Sequence, residues 1–220
     1  MNSVLEYVNQ VCKHVRDTNK QAVSFKKLVG SIRSSCKDRG LDLRIITKKD
    51  RTLESSQFYV NAYYDAEDDF NQETAIEIFV YHNFSDKDLF LTNQITEFLV
   101  QIYDATVHEF RHKHQSESRK YETYSNHDQS PFTDYLADPD ELDAYAVSIA
   151  IELLRAIGKE RAKRYMSRIS ILAKVRQGSN YISPNLKAYI DHFGLTLLTK
   201  KLAKKIYKHL DSLDKDQIFK

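Results

Sequence analysis

TNQITEFLVQIYDATVHEFRHKHQ, residues 92–115, sets the reading of the whole chain. Ile95, Phe98, Leu99, Ile102, Ala105 and Phe110 recur at the spacing of one face of an α-helix, and Thr92 or Asn93 is a suitable cap. Near its end the same run carries His108-Glu109-Phe110-Arg111-His112, an H-E-x-x-H. Residues four apart on a helix lie one turn apart on one face, so His108 and His112 can turn both imidazoles toward one ion. Glu109 stands beside them, placed to take a proton from a water held by that ion. His114 points to a different face of the helix and does not join the group.

Upstream, three stretches alternate like strands: residues 41–48, 57–64 and 74–82. The third is the clearest, with Ile76, Ile78 and Val80 on one face. As the last strand before the motif helix, it is expected to lie alongside the site and offer an edge to an extended peptide. Between the second and third strands, residues 65–72 are acidic and read as a solvated hairpin tip. They lack the glycine and ligand ladder of a calcium loop. Two helices open the chain. Residues 3–18 carry Val4, Tyr7, Val8, Val11, Cys12 and Val15, and residues 24–39 carry Phe25, Leu28, Val29 and Ile32 before Gly40. Both read as packing elements.

The composition excludes several classes. Of 220 residues 41% are apolar, enough for a core, and only 5 Gly, 3 Pro and no Trp speak against a disordered or loop-dominated chain. A formal charge of +2 gives no strong pull toward nucleic acid or membrane. Cys12 and Cys36 are expected to be reduced. No apolar run approaches the ~20 residues that span a bilayer, and the first residues lack the plan of a signal peptide. The cytoplasm, of its own cell or of a host, is the expected compartment.

A catalytic zinc site takes three protein ligands plus water. After residues 116–137, which have no sustained period and read as a long loop, Asp138-Pro139-Asp140-Glu141 opens a helix that runs to Gly158. Asp138 is the cap, and Asp138 with Glu141 forms a capping-box pattern. Glu141 is also the carboxylate that a two-His, one-Glu site requires. Asp143, Asp140, Asp134 and His127 are the alternatives.

An H-E-x-x-H followed, after a variable loop, by a helix of the form Pro-x-Glu-x-Asp-Ala-x-Ala resembles the zincin metallopeptidases. The likeness is to the compact Glu-zincins, such as ImmA/IrrE-like proteins and small phage-encoded peptidases. The step from His112 to Glu141 is similar to the spacing in that group. The resemblance implies zinc held by His108, His112 and Glu141, Glu109 as general base, and Asp143 as a hydrogen-bond partner of a ligand histidine. It covers roughly residues 74–158. No third histidine or Met-turn of the astacin or matrix type follows, and no helix-turn-helix is evident.

Beyond Gly158, residues 160–177, a short stretch opened by Ser183-Pro184, and residues 195–213 read as helices. In the last, Leu198, Leu202, Ile206 and Leu210 make one face, and Lys200, Lys201, Lys204, Lys205 and Lys208 line the other, read as solvated. No interleaving of aromatic and basic residues marks a nucleic-acid platform.

The expected fold is therefore α+β: a small mixed or antiparallel sheet packed on the motif helix, with a helical C-terminal layer. Residues 1–158 would form the catalytic domain and residues 159–220 an extension packed on it. The expected activity is zinc-dependent peptide hydrolysis on a protein or peptide substrate, without membrane or nucleic-acid partners. Tyr124, Tyr135, Tyr145, Tyr189 and His192 are candidates for stabilising the oxyanion. The rival readings are a zinc-binding interaction protein without catalysis, and a particle- or nucleic-acid-associated protein using the basic C-terminal helix.

Overall fold

The structure is a computed structural model that describes residues 2–19, 22–85, 88–121, 132–168 and 181–219. The chain is mixed α and β. It divides into two compact units, residues 1–124 with 219–220, and residues 125–218. The boundary expected at residue 158 falls inside the second unit.

In the first unit, α1 (Asn2–Thr18) buries Leu5, Val8, Val11, Cys12 and Val15 along one side. The Cys12 thiol points at the Leu99 carbonyl, 3.7 Å away. Helix α2 (Phe25–Asp38) starts at Ser24, whose hydroxyl accepts the Lys27 N–H, and ends just before Gly40. Gly40 has φ +65°, a left-handed value that glycine adopts without a Cβ penalty. Strands β2 (Arg44–Lys49), β3 (Phe58–Tyr64) and β4 (Ile76–His82) form one sheet in the order β2-β4-β3. β4 is parallel to β2 and antiparallel to β3. Its alternation puts Ile76, Ile78 and Val80 in the core, as the periodicity predicts. Two-residue strands β1 (Val23–Ser24) and β5 (Leu89–Phe90) pair antiparallel elsewhere in the unit.

The sheet order corrects one expectation. β4 is central and hydrogen-bonded on both sides, so it has no free edge for a peptide; the edges belong to β2 and β3. Along β3, Val60 N–H is taken by the side-chain oxygen of Gln101, and Ala62 N–H by that of Asn61. These side-chain acceptors occupy backbone donors that a further strand would otherwise use.

A second correction concerns the acidic stretch. It folds into a short helix, α3 (Ala66–Phe70), because the Asp65 carboxylate accepts from the N–H groups of Glu67 and Asp68. Acidic residues in the first turn also suit the positive end of the helix dipole.

Helix α4 (Thr92–Ser118) carries the motif and packs on α1, β3 and β4. Its cap is Leu91 rather than Thr92 or Asn93: the Gln94 side chain accepts the Leu91 N–H at 3.0 Å, satisfying a backbone donor at the helix start. The helix continues through Ser118, three residues beyond the expected end. Ile95, Phe98, Leu99 and Ile102 are buried, whereas Ala105 and Phe110 are only half-buried. Over its last turns the buried side is taken instead by Glu109, His112, Gln115 and Ser116.

The second unit is helical in its described residues: α5 (Phe132–Ala137), α6 (Pro139–Ile157), α7 (Lys159–Ser167), α8 (Pro184–Phe193) and α9 (Leu197–Ser212). α6 is its central element, apolar through most of its length and packed on each of the other four. Gly158, at φ +74°, separates α6 from α7. The long helix expected over 160–177 is described only as α7, since residues 169–180 lie outside the described set, as do His127 and Tyr124. The stretch expected as a loop over 116–137 holds the last turn of α4 and α5 at its ends. No helix among the described residues is long and apolar enough to cross a membrane.

Candidate metal centre

The H-E-x-x-H spacing does in the fold what helical geometry requires. His108 and His112 lie one turn apart on α4 with Nε2 atoms facing each other at 3.2 Å and ring centroids 4.9 Å apart. His112 is 7% exposed and Glu109 8%, whereas His114 is exposed and outside the group, as expected. The other ring nitrogen of His112, Nδ1, sits 3.0 Å from Gln115 Oε1. A carboxamide oxygen only accepts, so the proton of His112 belongs on Nδ1 and its lone pair on Nε2, facing His108. Gln115 was not singled out from the sequence. Its signal is the i+3 spacing from His112 on the helix.

The donor set fits a zinc ion. Zn–N bonds are about 2.0–2.1 Å, so two nitrogens on a tetrahedral ion stand roughly 3.3 Å apart. The 3.2 Å between the two Nε2 atoms matches that edge. A hydrogen bond from the remote nitrogen of a ligating imidazole to an oxygen is the usual means of fixing its tautomer and ring plane, and Gln115 makes such a bond.

Just beyond the motif, α4 is anchored through the acidic stretch. Asp69, 9% exposed, forms an ion pair with Lys113 and accepts the hydroxyls of Tyr64 at 2.8 Å and Tyr121 at 3.0 Å. The expected solvated tip thus turns one carboxylate inward. Burial, and then the bond to Asp69, push the Tyr121 hydroxyl up to about 12. Burial likewise pushes the Tyr64 hydroxyl well above the ordinary tyrosine value.

Glu141 and Asp143 belong to the second unit, on the first turns of α6. Asp138 caps that helix, its carboxylate accepting Asp140 N–H at 2.7 Å and Glu141 N–H at 3.4 Å, and Pro139 follows at the first helical position. Asp138 gives its own N–H to the carbonyls of Asp134 and Tyr135. Glu141 is 8% exposed. Asp143, also 8% exposed, receives Lys205 Nζ at 2.9 Å and His209 Nε2 at 3.3 Å, both from α9. Lys205 is therefore not part of a purely solvated lysine face. Neither Lys205 nor His209 could have been matched to Asp143 from spacing, because helical periodicity says nothing about pairs on different helices.

Among the proposed oxyanion donors, Tyr189 is a packing ring. It is 1% exposed, its hydroxyl donates to the Leu136 carbonyl at 2.9 Å, and its ring meets Tyr145 edge-on. His192 is exposed. Cys12 and Cys36 are free thiols, both buried, and burial pushes Cys36 up to about 12, which leaves it inert at neutral pH. The chain matches no protein-family model, no curated protein and no solved structure.

Proposed function

We propose that the protein is a zinc-dependent metallopeptidase of the compact Glu-zincin kind. The sheet and α4 form its catalytic half, and the helices after residue 131 supply the third ligand. His108, His112 and Glu141 each offer one atom of a kind zinc takes, two imidazole nitrogens and a carboxylate oxygen. The observation that carries the reading is the pair of Nε2 atoms held at 3.2 Å with the His112 tautomer set by Gln115.

Zinc held there would supply Lewis acidity, which would polarise the scissile carbonyl and lower the pKa of a bound water to about 7. Glu109 is the general base. Its carboxylate takes the water proton and passes it to the leaving amine nitrogen, and its burial keeps bulk water from competing for that proton. A site that only stores zinc has no use for such a base, which favours catalysis over a purely structural centre. The substrate class is a protein or peptide in the cytoplasm of the cell in which the chain is made.

The test is elemental analysis of the purified protein beside His112→Ala, Glu141→Ala and Glu109→Gln, followed by cleavage of a peptide library. About one zinc per chain, lost in the first two variants and kept in the third, with cleavage abolished in all three, is the expected result. Zinc that survives Glu141→Ala moves the third ligand to Asp143, Asp140, Asp134 or His127. No zinc in the wild type after reconstitution sinks the reading. Zinc with no cleavage across the library leaves a binding protein.

A further inference from the structure

The near-neutral charge of the chain is an average over two opposed regions. Residues 161–210 hold twelve Lys and Arg and a single acid, Asp191, which pairs with Lys187 along α8. The rest of the sequence is net acidic. Such segregation directs one part of the surface toward anions. Within that stretch, α7 brings Arg161, Arg164 and Arg168 to one side, at the i, i+3, i+7 spacing of a helical face, with Tyr165 among them. Together with Ile157, the last residue of α6, they line an open cavity of about 420 Å³. The three arginines are exposed, and Ile157 and Tyr165 are half-buried.

None of the three guanidinium groups forms an ion pair with a described residue. Helix α7 packs on α6 and α9, and the nearby carboxylates of those helices are engaged elsewhere. Asp211 pairs with Lys163, Glu152 accepts from Ser183 and Asn185, and Asp143 receives Lys205 and His209. Asp140 and Glu141 stand roughly four turns back along α6. Glu160, on α7 itself, gives Arg164 its carbonyl at 3.4 Å, while its charge acts on Lys163. We propose that this cavity binds a small polyphosphate-bearing anion, its phosphates on Arg161, Arg164 and Arg168 and its remainder against Ile157 and Tyr165. Three cations converging without a counter-charge call for a multivalent partner, and guanidinium forks match phosphate oxygens in pairs. The volume falls within the roughly 300–1,000 Å³ of small-ligand pockets, and a concave site favours a compact anion over a duplex or a membrane surface. The proposal does not rest on the metal centre.

The experiment is isothermal titration calorimetry of the full chain with inorganic tripolyphosphate, ATP, adenosine and citrate. Tripolyphosphate and ATP are expected to bind, adenosine and citrate not. Arg161→Met, Arg164→Met and Arg168→Met each weaken binding about tenfold, and added salt weakens it further. Equal affinities for the two phosphates identify a free polyphosphate as the ligand type. Tighter ATP, with Ile157→Ala lowering ATP affinity alone, identifies a nucleotide; both results support the phosphate site. Tripolyphosphate also chelates zinc, but heat from that source would persist in the arginine variants, so the metal reading and this one fail separately. Melting temperatures show that these exposed substitutions leave the protein folded. Absence of binding, equal binding of citrate, or binding unchanged in all three arginine variants overturns the proposal. So does stronger binding to a single-stranded oligonucleotide or to anionic vesicles that is lost on Lys200→Ser/Lys204→Ser, which would assign the basic region to an extended polyanion on α9.

Discussion

Asp69 and Asp143 are buried to nearly the same degree, 9% and 8% exposed, and both receive a lysine, yet they are held in opposite ways. Asp69 gathers one cation and two hydroxyls from separate parts of the first unit: Lys113 on α4, Tyr64 at the end of β3, and Tyr121 in the turn after α4. Asp143 receives Lys205 and His209 from successive turns of the single helix α9. One carboxylate therefore knots three elements together, while the other pins one helix to another. The difference matters when the acid is removed. Around Asp69 the two tyrosine hydroxyls are carried on rings held in the fold, whereas Lys205, with its side chain 36% exposed, can turn to water.

The largest effect is accordingly expected at Asp69. Asp69→Ala should destabilise the protein by about 3 kcal/mol in urea unfolding, since it removes a buried carboxylate shared by Lys113, Tyr64 and Tyr121. Asp143→Ala should cost about 2 kcal/mol, because Lys205 regains solvent. Lys205→Met on that background should add little, the signature of a shared interaction. Equal losses at the two aspartates would erase the contrast.

On the same segment of α4, Gln115→Ala should weaken zinc binding about tenfold in a competitive chelator titration, with little change in unfolding midpoint. An unchanged affinity would remove Gln115 from the metal centre.

The smallest effect is in pH dependence. Tyr121 and Cys36 have folded-state pKa values raised from about 10 and 9 to about 12. The native state holds these protons more tightly than the unfolded chain. Their contribution is complete below about pH 9 and is lost as pH rises toward 12. Asp69 raises Tyr121 through its hydrogen bond and charge, so Asp69→Asn should make the alkaline decline shallower. A steeper decline would reverse the assigned sign.

The sequence made parts of this legible and hid others for physical reasons. Helical and strand periodicity located α1, α2, β3, β4 and α4 closely, and H-E-x-x-H carried its geometry in its spacing because both imidazoles ride on one helix. Asp138-Pro139 likewise announced the start of α6. What local pattern could not disclose was which element each polar side chain would meet. Asp69 read as one more charge in a solvated run, and the partners of Asp143 are more than sixty residues away along the chain. The stacking of Tyr59 on Tyr81, with ring centroids 4.6 Å apart, was equally invisible, because the two residues become neighbours only through strand register.

The placement of β4 has a consequence for the order in which the chain can assemble. β2 and β3 follow one another in sequence but exchange no ladder with each other; each is bonded only to β4, which comes last. A nascent chain that has emerged only as far as residue 75 therefore holds two strands with no mutual partner, and the sheet is born when the stretch through His82 arrives between them. During synthesis the first half of this unit must wait for its keystone, with the apolar faces of two unpaired strands exposed to whatever folding helpers the cell supplies.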